Sequence, residues 1–287
     1  MNLVSVIIPV FNRHNYADRA IQSVLNQTHY NWEILVIDDK SETPYTVPEF
    51  CIGITQNITL FRNETNLGPG LSRQSGLDLS IGEYVCFLDS DDYWKPDFLS
   101  ISLKVHEANP ELCATYCQSE MTNGSLRRRN NIEDAIDDIF YGVVSGVRPW
   151  ATCSLMWKKK FLAKWNPIRT NQDAMFELQT ALINPKIKLI SKVLCVIDKE
   201  SGLNSEDLVK KSRIEKNRNN VISYSAKNIY RYKGNTNVNL LKRIIWFRLF
   251  NLTFKQFKYK NYVTGVENII FLFRKIRWVF RSNQIES

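Results

Sequence analysis

Short apolar runs alternate with segments of helical spacing along residues 4–106, and the runs end in polar or acidic side chains. Val4-Ser-Val-Ile-Ile-Pro-Val10 leads into Phe11-Asn12. Trp32-Glu-Ile-Leu-Val-Ile37 ends in Asp38-Asp39, and Glu83-Tyr-Val-Cys-Phe-Leu88 ends in Asp89-Ser-Asp-Asp92. Ile58-Thr-Leu-Phe61 is a further short strand. Between the runs, Tyr16–Leu25 places Ala20, Ile21, Val24 and Leu25 on one face, Pro69–Leu79 follows a Gly-Pro-Gly turn, and Pro96–His106 opens with proline in its first turn. Strands alternating with helices predict βαβ units: an α/β fold with a mostly parallel sheet flanked by helices. Such sheets bind ligands at the carboxyl ends of their strands. Phe11, Asp38-Asp39 and Asp89–Asp92 all fall at those ends.

The last group is the most demanding chemically. Asp89, Asp91 and Asp92 crowd three carboxylates at the end of a buried strand, where like charges raise one another's pKa. A divalent cation removes that penalty, and oxygen ligands favour Mn²⁺ or Mg²⁺ with phosphate oxygens completing the shell. The segment therefore points to a metal–diphosphate site.

Beyond residue 110, Ala114–Cys117, Thr152–Trp157, Lys188–Ile190 and Lys192–Ile197 read as strands. Asn171–Leu182 reads as a helix with Ala174, Leu178, Ala181 and Leu182 on one face. Residues 121–135, with Arg127-Arg-Arg129, read as a loop. The pattern predicts a body over 1–205 and a different region over 206–287. Charge separates them: after residue 207 there are 18 Lys and Arg against 3 acidic residues, leaving 20 basic and 26 acidic before it. Residues 239–281 mix Leu, Ile, Phe and Trp with Lys and Arg at helical spacing, the composition of helices that lie on anionic membranes. The alternative is a helical appendage packed on the body. The chain has no uncharged run long enough to span a bilayer, and its N-terminus reads as a first strand. Six cysteines without a CxxC pair read as buried thiols in a reducing compartment.

Taken in order, Val4–Asn12, Ala20-Ile-Gln-Ser-Val-Leu-Asn-Gln-Thr28, Trp32–Asp39, Asn66-Leu-Gly68, Ser72-Arg73, Gly76, Gly82-Glu-Tyr84 and Phe87–Asp92 resemble the donor half of a family 2 glycosyltransferase of the GT-A fold, of the bacterial O-antigen, lipopolysaccharide or capsule type. The resemblance covers roughly residues 3–100, and it implies a catalytic domain over 1–205 with a nucleotide-sugar donor half, 1–100, and an acceptor half, 101–205, followed by basic amphipathic helices over 206–287. It implies a metal-dependent, inverting hexosyltransferase. Asp91 would hold Mn²⁺ or Mg²⁺, with Asp89 on the metal shell or donor sugar beside Ser90. Pro9 and Phe11 would line the nucleoside pocket, Asp39 would read uracil, and Asp38 would orient the loop or touch the base edge. Arg73 would meet the donor phosphates or an acidic neighbour, and Asp92 would cap the helix near Pro96. The family base is the Asp of a Glu-Asp pair opening a helix, which corresponds here to Asp173, with Gln172 in place of Glu and Glu177 as the fallback. By resemblance, a single glucose, galactose or N-acetyl form passes from a UDP-sugar to a lipid-linked or O-antigen oligosaccharide in β-linkage. This would occur at the cytoplasmic face of the inner membrane, held there peripherally by the C-terminal helices, with no nucleic-acid partner. The competing expectation is a non-catalytic binder of membrane or nucleic acid with a degenerate GT-A domain. A dinucleotide-binding enzyme would need GxGxxG after the first strand, where the chain has Val10-Phe-Asn-Arg-His14.

Overall fold

A computed structural model describes residues 2–51, 53, 57–127, 135–168, 171–198 and 211–258, with side chains described for all of these except 211–219 and 253–258. In chain order the elements are β1 (Val4–Val10), α1 (His14–Leu25), β2 (Trp32–Asp38), β3 (Ile58–Arg62), α2 (Pro69–Leu79), β4 (Tyr84–Phe87), β5 (Tyr93–Trp94), α3 (Phe98–Ala108) and β6 (Ala114–Met121). There follow α4 (Ile139–Ser145), β7 (Leu155–Lys158), α5 (Gln172–Ala181), β8 (Ile187–Ile197), α6 (Lys211–Asn228) and α7 (Val238–Lys258). The strands form one sheet in the order β3-β2-β1-β4-β7-β6-β8-β5.

The donor half is parallel, as its alternation of strands and helices requires. β1 pairs with β2 from Val4↔Trp32 to Val10↔Asp38, β2 pairs with β3, and β1 with β4. This register brings the carboxyl ends of four strands to one edge, and the loops beyond continue it: Asp39 N–H donates to Val10 O at 2.8 Å and Leu88 N–H to Ile7 O at 3.0 Å. The second half keeps one parallel pair, β6 with β8, and adds antiparallel ones. There β7 runs antiparallel to both β4 and β6, and β5 antiparallel to β8, so the sheet is mixed. The two late runs form one strand, β8, whose pairing with β6 is kinked by register shifts around Gln118. Residues 152–154 form a 3₁₀ turn ahead of β7.

Alternate side chains of the strands fill two cores. Val4, Val6, Ile8, Ile34 and Val36 pack with Ala17, Ala20, Ile21 and Val24 of α1 and Phe98, Leu99 and Leu103 of α3. Ile7, Leu35, Ile37 and Phe87 face the other way, against α2, α4 and α5. Gly76 of α2 lies where the helix crosses the sheet, and a Cβ there would strike Ile7 Cγ2. Gly76→Ala is expected to lose about 1–3 kcal/mol of stability through overpacking, read as a lower urea midpoint with unchanged slope.

The second core does not end at the expected boundary. Residue 205 lies outside the described residues, but α6 and α7 beyond it contribute Val221, Ile222, Leu241, Ile245, Leu249 and Leu252 to the same cluster as α4 and α5. Leu241, Ile245 and Leu249 recur every four residues and are 0–1% exposed, so this apolar stripe of α7 is spent on the body. Arg248 is also engaged: Nη1 donates to Val143 O and Val144 O, at 3.1 and 2.8 Å, at the C-terminal end of α4. Leu240 and Phe247 remain exposed, at 47% and 60%. The expected second amphipathic segment, 269–280, and Arg128-Arg129 lie outside the described residues. Among the described residues no helix is long and apolar enough to cross a membrane. All six cysteines are buried and free.

Candidate functional site

The loops after β1 and β2 are stitched together at the sheet edge. Asn12, at φ 54°, donates its N–H to Ser41 Oγ at 3.0 Å and accepts Glu42 N–H on Oδ1 at 2.8 Å. Phe11 stays 45% exposed, while Pro9 is half-buried. Asp38 is a structural member: it is 1% exposed and accepts Ser41 N–H at 2.9 Å, Tyr45 N–H at 3.3 Å and Arg62 Nη1 at 2.6 Å. Burial opposes its charge, but those hydrogen bonds and the guanidinium hold its carboxyl below the usual range. These bonds tie Asp38 to the loop that follows β2. Asp39, 3% exposed, receives Asn63 Nδ2 (2.8 Å) and Leu67 N–H (2.9 Å) on Oδ1 and Gly68 N–H (2.8 Å) on Oδ2. Three of its roughly four acceptor positions are thus filled, two by the Asn66-Leu-Gly68 turn and one by Asn63.

Asp89–Asp92 is a turn closed by Asp92 N–H to Asp89 O at 3.0 Å. Its side chains diverge. Asp89 pairs with Arg73, and Asp91 with Arg13; both carboxylates are partly open, at 33% and 21% exposure. Ser90 and Asp92 are buried. Asp92 does not cap α3: its Oδ1 accepts Asp198 N–H at 3.1 Å, while the N-cap position belongs to Asp97. Burial first, then the charges of Asp89 and Asp91, push the Asp92 carboxyl well above its usual range, which is the crowding inferred from sequence. Arg19 secures the turn by donating to Asp91 O at 2.7 Å and to Asp198 Oδ2 at 2.8 Å.

Across the sheet edge, Asp173 sits in the first turn of α5. Gln172 packs its side-chain amide against Gly70 at the start of α2, which ties α5 to the donor loop. Asp173 Oδ2 lies 2.7 Å from Arg148 Nη2. Burial opposes its charge, but Arg148 and then Arg73 outweigh burial and hold the carboxyl below the usual range, so Asp173 is ionised at neutral pH. Glu177, the fallback base, is 1% exposed and clamped by Arg148 Nε and Nη2 at 2.7 and 2.6 Å. It is sealed from any acceptor and corrects that expectation. Arg13, Arg19 and Arg148 escaped the sequence reading. Arg13 had a usable signal, since it directly follows the β1 end. Arg148 had none, because its partners lie 25 and 29 residues away on another element.

The structure thus brings the two carboxylate groups together through α2, where Arg73 ion-pairs with Asp89 and Gly70 packs against Gln172, the neighbour of Asp173. Residues 5–177 match the family described as Glycosyl transferase family 2, more than half of the 287 residues. The chain belongs to glycosyl transferase family 2. Among its relatives, an uncharacterized glycosyltransferase of Rickettsia felis is 46% identical over 106 residues, 37% of this chain and 17% of that protein. The glucosyltransferase WfgD of Escherichia coli, named for transfer from UDP-Glc to α-D-GlcNAc-diphosphoundecaprenol, is 38% identical over 105 residues, 36% of this chain and 40% of that protein. The chain therefore spans well under half the length of these relatives. The fold matches S. aureus TarS 1-349, solved in complex with UDP-GlcNAc, with a TM-score of 0.70 at 19% identity over 89% of this chain and 73% of that one. This family 2 member shares with TarS an α/β fold of GT-A type.

The donor set suits a hard divalent cation. Asp89 and Asp91 present carboxylate oxygens at a strand end, each partly open and each already facing a cationic guanidinium. Among the described residues no cluster of three or more His, Cys, Asp or Glu is arranged to hold a metal. Two carboxylates plus phosphate oxygens is the habit of Mg²⁺ in nucleotide sites.

Proposed function

We propose that the chain is an inverting glycosyltransferase that moves one hexose from a UDP-sugar to a lipid-linked glycan acceptor. The observation that carries this reading is the meeting of α2 and α5 at the donor loops: Arg73 of α2 pairs with Asp89, and Gln172, next to Asp173, packs against Gly70 at the start of the same helix. Asp173 accepts the proton of the acceptor hydroxyl as its oxygen attacks the anomeric carbon. The bond from that carbon to the UDP oxygen breaks on the opposite face, and the configuration inverts to a β-linkage. Phe11 offers a face to the uracil, and Asp39 keeps an acceptor position on Oδ2 for a base N–H. Arg73, 5% exposed and stacked 5.0 Å from the Trp165 ring, is fixed where its charge meets the growing negative charge of the leaving diphosphate. Mn²⁺ or Mg²⁺ held by Asp89 and Asp91 would supply Lewis-acid stabilisation of that charge.

UDP-hexose as donor is supported by the name of WfgD and by the ligand in the TarS structure. WfgD's diphosphoundecaprenol-linked acceptor supports a lipid-linked one here. Exposed Leu240 and Phe247 on α7, beside Lys242 and Arg243, support peripheral contact with an anionic membrane. The test is UDP release from UDP-glucose, UDP-galactose and their N-acetyl forms, with Mn²⁺ and a lipid-diphosphate sugar acceptor in anionic or zwitterionic vesicles. One donor is expected to give acceptor-dependent release, faster on anionic vesicles. No acceptor-dependent release from any donor, together with no thermal protection by UDP, would overturn the reading.

A further inference from the structure

We propose that Arg148 is a positioning residue for the proton-accepting carboxylate, its guanidinium fixing Asp173 Oδ2 while Glu177 anchors the guanidinium from below. The inference rests on the reading of Asp173 as the base. Arg148 reaches Glu177 with two parallel bonds, Nε to Oε2 at 2.7 Å and Nη2 to Oε1 at 2.6 Å, the fork geometry that leaves a guanidinium little freedom. The same Nη2 is 2.7 Å from Asp173 Oδ2. Asp173 and Glu177 are four apart on α5 and so share a face. Without a cation between them the two carboxylates would repel, and Asp173 would turn outward or take up a proton. Arg148 occupies Oδ2 and leaves Oδ1 outside the ion pair, on a side chain that is 28% exposed.

The backbone carries a second, independent sign. Arg148 has φ 27° and precedes Pro149, a conformation disfavoured for any residue with a side chain and more so before proline. The surroundings hold it there: Arg148 N–H donates to Gly142 O at 3.1 Å, and Arg127 Nη1 to Pro149 O at 3.3 Å. Strain retained at one residue is a mark of a position fixed for function. The charges facing Asp173 are Arg148 from the α4–β7 loop, Arg73 from α2 and Glu177 from α5 itself. Arg248 of α7 is directed to the α4 carbonyls instead. Glu177 is buried and the furthest from a catalytic role, yet it is what holds Arg148 in place.

Removing Arg148 alone would strand the buried Glu177 charge and threaten folding. The test therefore uses the paired variant Arg148→Met with Glu177→Gln, beside Arg148→Lys, which keeps the charge and loses the fork. Thermal melts and UDP-sugar KM are expected to stay near the unmodified protein for the pair. Its kcat is expected to fall about 10–100-fold, and the acid limb of its pH–kcat profile to move up by about one unit as Asp173 loses its cation. Arg148→Lys is expected to keep the limb near its original pH while still losing kcat, because charge survives and geometry does not. Placed in an Asp173→Asn background, the pair is expected to cost nothing further. A folded pair with unchanged kcat and unchanged acid limb, or losses that multiply in the Asp173→Asn background, would overturn the proposal. Full activity of Asp173→Asn by itself would instead overturn the base reading on which it stands.

Discussion

Asp91→Ala is expected to abolish the Mn²⁺-dependent part of UDP affinity and to lower sugar transfer by about 10²–10³-fold. The argument starts from the turn itself. Asp91 is one of two partly open members of a three-carboxylate cluster whose third member, Asp92, is buried and pushed up first by burial and then by its neighbours. Its partner in the structure is Arg13, and its backbone carbonyl is held by Arg19, so the turn persists when the side chain is removed. If the Arg13 pair were the whole role of Asp91, its loss would cost no more than about 1 kcal/mol of stability, as partly exposed ion pairs do, and UDP binding would be indifferent to Mn²⁺. Calorimetric UDP titration of both proteins with and without Mn²⁺ separates the two cases. Equal metal dependence in Asp91→Ala and the unmodified protein would remove Asp91 from the metal site.

Asp173→Asn is expected to leave UDP-sugar binding intact and to lower kcat by about 10²–10⁴-fold, the range supplied by a general base. The amide keeps the shape of the carboxylate and can still face Arg148, so packing at the start of α5 is preserved. Only the ability to take a proton is lost. The pH profile adds a signed expectation. Arg148 and Arg73 outweigh burial and depress the Asp173 carboxyl, so its ionised, basic form exists at every pH above that lowered value. The acid limb of kcat should therefore lie below the ordinary carboxylate range near pH 4, and activity should fall only as the pH drops through it. A profile that breaks well above that range would mean that another group accepts the proton. A rise in the KM for donor with unchanged kcat would mean that Asp173 binds substrate and does no proton transfer.

The donor half was legible because its signals are local. A largely apolar strand ending in Asp38-Asp39, or the Gly68-Pro69-Gly70 turn, states its own structure within a few positions, and four aligned strand ends then place Phe11, Asp39 and Asp89–Asp91 together. Helix α5 was legible for the same reason. Other elements were not. β5 is two residues long and exists only because Tyr93 and Trp94 pair with Val196 and Cys195. α4 is a seven-residue helix set after a polar stretch and capped by Asp138, which accepts Tyr141 N–H at 2.9 Å. α6 is rich in Lys, Arg and Asn and carries no strong apolar period to announce it.

The role of each charge followed the same division. Sequence placed Asp38 and Asp39 side by side, but only the fold separated them. Asp38 meets Ser41 and Tyr45 of the following loop and Arg62 of β3, while Asp39 meets Asn63, Leu67 and Gly68. Likewise the basic, aromatic segment 239–281 read by composition as a membrane face, with a packed appendage as the alternative. Burial of Leu241, Ile245, Leu249 and Leu252 in the common core assigns one face to packing and leaves Leu240 and Phe247 for other contacts.

The sequence by itself determined the strand ends, the carboxylates that crowd them and the helix that presents Asp173, because period, turn chemistry and capping are encoded within a few residues. Only the tertiary structure decided which carboxylates meet which guanidiniums: Asp91 with Arg13 across 78 residues, Asp89 with Arg73, and Asp173 and Glu177 with Arg148. Ion pairs of that kind are fixed by how the sheet and helices stack, and a charge leaves no periodic trace in the chain of the partner it will find.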